Sequence, residues 1–147
     1  MNAAAQIAAI ATAVTAGVAA AFGAWRWYRV DPPGAFWPLA RLAQGAAAAQ
    51  ALVAGALAVA GFDPGDGLYW LYALLPVAVS FVAEQLRLAS AQTVLDARGL
   101  ENARAMERLD DAGRRSVVRA IVRREMGVVS IGLGVVVFLA LRALATI

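Results

Sequence analysis

The sequence predicts an all-α integral membrane protein that forms a four-helix transmembrane bundle. Of the 147 residues, 62% are apolar and 16% are charged, and the apolar residues fall into four long runs. Soluble globular domains are only about 45–50% apolar, and a chain of this length has too little interior to hide the excess from water. Most of the apolar surface is therefore expected to face lipid.

Each apolar run is long enough to cross the hydrocarbon layer of a bilayer, which takes about 20 helical residues. The predicted spans, all within a single domain of residues 1–147, are residues 3–24, 36–61, 69–93 and 126–147. Helices are expected because backbone polar groups in lipid must be paired within the protein. The sequence lacks the alternating pattern that is typical of barrel strands.

The first span carries no charge and is followed by WRWYR at residues 25–29, an aromatic and basic pattern that is typical of a membrane interface. We expect this span to be retained rather than cleaved as a signal peptide, because no basic side chain precedes Arg26. Pro32 and Pro33 then end the helix, since proline lacks the backbone N–H that a helix needs. The chain therefore turns back before the second span.

The second and third spans are joined by FDPGDG at residues 62–67, a sequence of turn-forming residues. Tyr69, Trp70 and Tyr72 at the start of the third span predict a second interface. Small residues that would let helices in lipid pack closely are Gly45, Ala49, Ala51 and Gly55 in the second span and Gly127, Ser130, Gly132 and Gly134 in the fourth. They are expected to pack within one bundle or, alternatively, between copies in a homo-oligomer.

The connection at residues 94–125 is expected to be cytoplasmic and to contain an amphipathic or charged helical segment between helices 3 and 4. We predict a solvated helix over residues 98–111 and a break at Gly113. Three arginines that share one face of the following helix are expected to contact anionic lipid headgroups: Arg115, Arg119 and Arg123. This helix either lies on the membrane or is a charged collar on a projecting fourth span.

The distribution of arginine predicts the orientation of the bundle. The first and third connections carry most of the arginines, whereas the second carries Asp63 and Asp66 and no arginine. By the positive-inside rule, the first and third connections are cytoplasmic. We therefore expect a multi-pass protein of the plasma (cytoplasmic) membrane with both termini outside. Arg142, near the outer end of the fourth span, is expected to snorkel or to pair with one of these carboxylates.

Polar side chains inside the spans are the candidates for a functional site, because a charge at mid-bilayer costs about 2.5–3.5 kcal/mol. If the second and third spans pack antiparallel, their polar side chains lie in the same half of the membrane. The predicted intramembrane polar cluster consists of Arg41, Gln44, Ser80, Glu84, Gln85 and Arg87. Two arginines against one carboxylate leave a positive excess, which favours an anionic partner.

The composition excludes several kinds of chemistry. Cysteine and histidine are absent, so disulfides, thiolate nucleophiles and His or Cys metal sites cannot form. We predict no catalytic, cofactor-binding or metal-binding residue and no enzymatic activity, since acid–base catalysis normally needs a partner group that Glu84 lacks. The net charge is only +3, and the arginines lie beside apolar segments. Both observations favour anionic lipid headgroups over nucleic acid as the partner.

Two functions are compatible with this sequence. The first is transport or permeation of a small ion or solute through an oligomer, with Glu84 as an ion or proton site that Arg41 and Arg87 tune. The alternative is an accessory or scaffold subunit of a larger membrane complex. In that case these residues form a structural network, and the partner is another membrane protein.

Overall fold

The computed structural model describes residues 2–147, and in that part of the chain it contains four long α-helices and one short 3₁₀ helix. The α-helices are α1 (Ala3–Arg29), α2 (Phe36–Val59), α3 (Leu68–Ala97) and α4 (Asp111–Ala145), and the 3₁₀ helix covers Ala103–Arg108. Each α-helix is long and apolar enough to cross a membrane. The predictions of an all-α fold and of four candidate spans are therefore confirmed.

The α-helices pack side by side in a ring, so that α1 and α3 each contact both α2 and α4. Ala5 and Tyr69 lie in one apolar cluster against which Ile147 packs, and this places both termini and the α2–α3 turn at one end. The α1–α2 linker and the start of α4 line a common cavity at the other end. We call this second end the basic end, because residues 25–35 and 98–125 carry most of the arginines.

Small side chains form the interior of the bundle, and large apolar side chains form much of its outer surface. On α1, Ile7, Val14 and Val18 are exposed. The buried residues of the same helix are Ala5, Ala9, Thr12, Ala16, Ala19 and Gly23. A soluble protein buries its largest apolar side chains, whereas helices in lipid associate by close packing of small ones. The arrangement is typical of a multi-pass membrane protein.

Glycine permits two of the close helix contacts. A Cβ atom on Gly23 would collide with the Ser130 hydroxyl of α4 and with the Phe36 ring of α2. A Cβ atom on Gly132 of α4 would lie 2.8 Å from the Cβ atom of Ala83 on α3. These approaches hold α4 against both α1 and α3, and the predicted packing role of Ser130 and Gly132 is confirmed.

The glycines of α2 do not take the role that their spacing predicts. Gly45 and Gly55, like Gly134 of α4, have open space where a Cβ atom would lie, and Ala49 is exposed. The inward face of α2 is instead formed largely by alanines: Ala40, Ala43, Ala47 and Ala54. The prediction that Gly45 and Gly55 pack within the bundle is wrong, because these two residues lie on a different face of the helix from the buried alanines.

The α1–α2 linker is fixed by the arginines before it. The helix ends at Val30, which has a left-handed backbone with φ 57°. Arg26 Nε donates a hydrogen bond to the Pro32 carbonyl at 2.8 Å. The Asp31 carboxylate lies 3.8 Å from Arg26 Nη1 and 3.7 Å from Arg29 Nε. The single acidic group of the linker is therefore already paired.

The connection between α3 and α4 differs from the prediction. Residues 98–111 do not form the expected α-helix, because two side chains cap new helices there. Asn102 accepts a hydrogen bond from the Ala105 N–H at 3.1 Å and begins the 3₁₀ helix. Asp110 accepts one from the Gly113 N–H at 2.7 Å and begins α4. Gly113 therefore lies in the first turn of α4 and is not a break between helices.

α4 is continuous over 35 residues, which at about 1.5 Å per residue makes it about 52 Å long. The hydrocarbon layer is about 30 Å thick, so part of α4 extends beyond it. The chain does not form a surface helix that is separate from the fourth span. Arg115, Arg119 and Arg123 instead lie on the extension of the spanning helix, as the alternative prediction described.

Candidate functional site

Arg41 of α2 and Glu84 of α3 form the centre of the polar residues between the helices. Arg41 Nη1 donates to Glu84 Oε1 at 3.0 Å, and Arg41 Nη2 donates to Glu84 Oε2 at 3.4 Å. The guanidinium thus binds both carboxylate oxygens, which is the stronger geometry for an ion pair of this kind. The expected proximity of the two side chains in the folded bundle is observed.

Gln44 joins this pair one helical turn after Arg41. Its Nε2 donates to Glu84 Oε1 at 2.9 Å, and its Oε1 accepts from Arg41 Nη1 at 2.7 Å. Each of the three side chains therefore contacts the other two. Gln44 orients Arg41 within its own helix and binds the carboxylate of the neighbouring helix.

Arg87 extends the site from α3 to α4. Its Nε donates to Glu84 Oε2 at 2.8 Å, and its Nη1 lies 3.8 Å from Glu125 Oε1 of α4. The guanidinium also lies over the Trp37 ring of α2, 5.5 Å from the ring centroid. We call Arg41, Gln44, Glu84, Arg87 and Glu125 the polar network. It links α2, α3 and α4.

Glu125 and Trp37 were not predicted as members of the site. Glu125 directly precedes the predicted fourth span and was therefore assigned to the polar connection. One signal could have identified Glu125: the fourth span begins at the end of the bundle where the third span ends, so Glu125 and Arg87 belong to the same end. Trp37 could have been identified by its position four residues before Arg41 on the same helical face.

Glu125 changes the charge of the site. Arg41 and Arg87 now face Glu84 and Glu125, so the formal charges of the polar network sum to zero. The expected positive excess is wrong, because it counted a single carboxylate. The argument for an anionic ligand at this site therefore has no basis.

Ser80 and Gln85 do not belong to the polar network. The Ser80 hydroxyl donates to the Pro76 carbonyl of its own helix at 2.7 Å. Gln85 is exposed, and within residues 2–147 its side chain makes no hydrogen bond with another residue. Both predictions fail for geometric reasons. A serine in a helix readily bonds to the carbonyl four residues earlier, and Gln85 is rotated by about 100° from Glu84.

The polar network is closed on one side and open on the other. The side chains of Glu84, Arg87 and Glu125 are 21%, 22% and 16% exposed. The Arg41 side chain is 55% exposed and lies at the outer surface of the bundle. The contacts between Arg87, Glu84 and Glu125 are thus the better shielded part of the network.

The three arginines predicted to contact headgroups lie together at the basic end. Arg115, Arg119 and Arg123 are exposed and line one cavity of about 610 Å³ with the α1–α2 linker. Arg123 also lines a second cavity of about 530 Å³ beside Trp27. Their common position agrees with the predicted shared face, while their contact with lipid stays a prediction.

Arg142 is held by an aromatic ring rather than by a carboxylate. Its guanidinium lies over Tyr72 of α3, 5.4 Å from the ring centroid. Within residues 2–147 it makes no ion pair with Asp63 or Asp66, so that expected pairing is wrong. Tyr72 lies on the helix beside α4, whereas the two carboxylates lie on the α2–α3 turn and are exposed.

The described residues 2–147 contain no group of three or more acidic side chains that could hold a metal ion. Comparison of the chain with protein families, with curated proteins and with solved structures found no match. Any functional conclusion therefore depends on the geometry of the polar network and of the basic end.

Proposed function

We propose that this protein is a non-enzymatic accessory or scaffold subunit of a membrane complex, with the polar network as a structural element. The observation that carries the proposal is the mutual pairing of its charges. Each arginine faces a carboxylate, and each carboxylate faces an arginine.

The hydrogen bonds that the Glu84 carboxylate already accepts support the structural role. Its two oxygens already accept hydrogen bonds from Arg41, Gln44 and Arg87. A cation at this carboxylate would have to displace these donors and leave two guanidinium groups beside it. Because an unpaired charge in the membrane costs about 2.5–3.5 kcal/mol on insertion scales, such an exchange is unfavourable. The pairing favours a network that holds helices over one that exchanges ions.

A protein of this kind would act by presenting a fixed surface to a membrane partner. The polar network sets the positions of α2, α3 and α4, and these helices carry large apolar side chains on their outer faces. In lipid, helices of different chains associate where small residues let the backbones approach closely, and Gly45 and Ala49 of α2 are exposed on this outer surface. The partner is expected to be another membrane protein or a second copy of this chain.

Transport or permeation is the second candidate, and the exposure of Arg41 favours it. With 55% of its side chain exposed, Arg41 makes one side of the network reachable from outside the single bundle. In an oligomer that surface could line a path shared between copies. A single bundle with a core of small, closely packed side chains has little space for such a path.

The membrane and the orientation are part of the proposal. We place the protein in the plasma membrane with the basic end in the cytoplasm and both termini outside. The concentration of arginine in two connections that share one end of the bundle supports this orientation by the positive-inside rule.

Flux measurement separates the two functions. The purified protein is reconstituted in liposomes, and fluxes of protons, chloride, phosphate, sodium and potassium are compared with those of empty liposomes. We expect no flux above the empty control. A flux that the Glu84→Gln variant alters, while the variant keeps its helicity and its elution volume, would replace the accessory role with transport.

A further inference from the structure

The basic end contains a cavity that the polar network does not use. It has a volume of about 610 Å³ and lies between the α1–α2 linker and the start of α4. Its basic residues all come from α4: Arg114, Arg115, Arg119 and Arg123. A cavity with four guanidinium groups in its wall has the charge of an anion site.

The acidic residues nearby do not neutralise these arginines. Asp31 lies in the wall of the cavity, but Arg26 and Arg29 already pair with it. Arg114 Nη2 lies 3.4 Å from Asp111 Oδ1. Within residues 2–147, no carboxylate comes within 4.0 Å of the other three arginines. Three arginines of the cavity thus have no partner in an ion pair there.

The rest of the cavity wall is apolar. Val118, Val122 and Met126 of α4 belong to it, together with Pro33 of the linker. A small hydrated anion gains nothing from such a wall, because only apolar groups are stabilised by leaving water for it. The combination of guanidinium groups and apolar side chains matches a molecule with a phosphate and a hydrocarbon part. Guanidinium groups suit the phosphate because they bind it with two parallel hydrogen bonds.

The depth of the cavity matches the headgroup layer of a membrane. If the apolar part of α4 begins at Met126, Arg123 lies about 5 Å and Arg119 about 10 Å outside the hydrocarbon. The headgroup layer adds about 5–8 Å on each side of a bilayer. Arg123 and Arg119 therefore lie at or just beyond the level of lipid phosphates, and Val122 lies between them, while Met126 lies at the level of the first methylenes.

We propose that this cavity binds the headgroup of one anionic phospholipid, whose phosphate is held by Arg119 and Arg123 beside Val122 and whose glycerol end contacts Met126. Arg115 adds positive charge at the outer rim. The linker forms the opposite wall, so the site is a cavity between two elements and not merely a charged face of α4. This inference depends on the membrane location of the bundle and is independent of the accessory role.

Lipid binding to the purified full-length protein tests the site. Native mass spectrometry in a neutral detergent measures the binding of added phosphatidylglycerol, with phosphatidylcholine as the lipid of no net charge. The test variant is R119Q/R123Q. The matched control is R104Q/R108Q, which removes the same charge from exposed arginines of the 3₁₀ helix, outside the cavity wall.

We expect R119Q/R123Q to weaken phosphatidylglycerol binding about thirtyfold, since each arginine at an anionic lipid contributes a factor of about five. The control should change binding less than about twofold, and phosphatidylcholine should bind only at background level. All four substituted residues are exposed, so both variants should keep the helicity of the parent. Equal losses in the two variants, or no loss in the first, would overturn the proposal.

A competition separates a lipid from a free phosphate ester. Glycerol 3-phosphate has the phosphate and the glycerol but no acyl chain, so it should not displace bound phosphatidylglycerol at equal concentration. If glycerol 3-phosphate binds as tightly as the lipid, the site is one for soluble phosphate esters and the lipid assignment is wrong.

Discussion

Arg87 of α3 and Glu125 of α4 face each other with Nη1 and Oε1 3.8 Å apart. This contact brings a third helix into the polar network and supplies the second carboxylate that makes it neutral. Without Glu125, Arg87 would leave the site positively charged and open to an anion. With Glu125, the two arginines and the two carboxylates balance, and the network has the properties of a structural contact.

Glu84→Gln should destabilise the bundle, because Arg41 and Arg87 would then lack their common carboxylate. Breaking a buried ion pair costs about 3–5 kcal/mol. The Glu84 side chain is not fully buried, because about a fifth of its surface is exposed. We therefore expect a loss near the lower limit, about 3 kcal/mol, in the free energy of unfolding in mixed micelles. Glu101→Gln, at an exposed site in the connection, is the control and should change it by less than about 0.5 kcal/mol. Equal effects of the two changes would contradict the network.

The two arginines should couple to Glu84 to different extents. Arg87 is 22% exposed and Arg41 is 55% exposed, so solvent or headgroups screen the Arg41 pair more. In double-mutant cycles with Glu84→Gln, we expect a larger coupling energy for Arg87→Gln than for Arg41→Gln, within the usual range of about 0.5–3 kcal/mol. Additive effects for Arg87 would mean that its contact with Glu84 is absent in the membrane. A larger coupling for Arg41 would reverse the assigned order.

The spans and four of the five members of the polar network follow from the sequence, because both depend on the periodicity and rise of an α-helix. Hydropathy predicts which residues cross lipid, and antiparallel depth brings Arg41 and Gln44 to Glu84. Arg87 follows because it lies one turn after Glu84 on the same face. These inferences need only the helical repeat and the order of the spans.

The remaining errors concern hydrogen-bond partners, helix caps and helix faces, for which the local sequence is compatible with more than one arrangement. Ser80 has a carbonyl of its own helix as a competing partner, and its position on the face of Glu84 does not decide between the two. The charges at residues 98–111 are compatible with a helix, and the caps at Asn102 and Asp110 decide otherwise. The faces of α2 are equally rich in small residues, so spacing alone did not separate Gly45 from the buried alanines.

Two glycines of α4 provide a matched test of the helix packing. Gly132→Ala should lower the free energy of unfolding by about 1–3 kcal/mol, because the new methyl group would overlap with Ala83 of α3. Gly134→Ala adds the same methyl group where no atom other than those of its own helical turn lies within 4 Å. It should leave stability unchanged or raise it by up to about 1 kcal/mol, since alanine favours the helix. The same loss in both variants would contradict the close contact of α3 and α4.

The two connecting regions around Asp63 and Glu101 should lie on opposite sides of the membrane. Both residues are exposed, whereas the side chains of Asp66 and Asn102 accept hydrogen bonds from the backbone N–H groups of Leu68 and Ala105. The chain has no cysteine, so the D63C and E101C variants each carry a single thiol. In intact cells, an impermeant maleimide should label D63C, and it should label E101C only after the membrane is permeabilised.

The labelling pattern tests the number of spans and the orientation separately. The reverse pattern, with E101C labelled in intact cells and D63C protected, would retain four spans and place the basic end outside. Labelling of both variants in intact cells, to the same extent as after permeabilisation, would place both connections outside. An even number of crossings would then separate the two regions, instead of the single crossing of α3, and the four-span arrangement itself would be wrong.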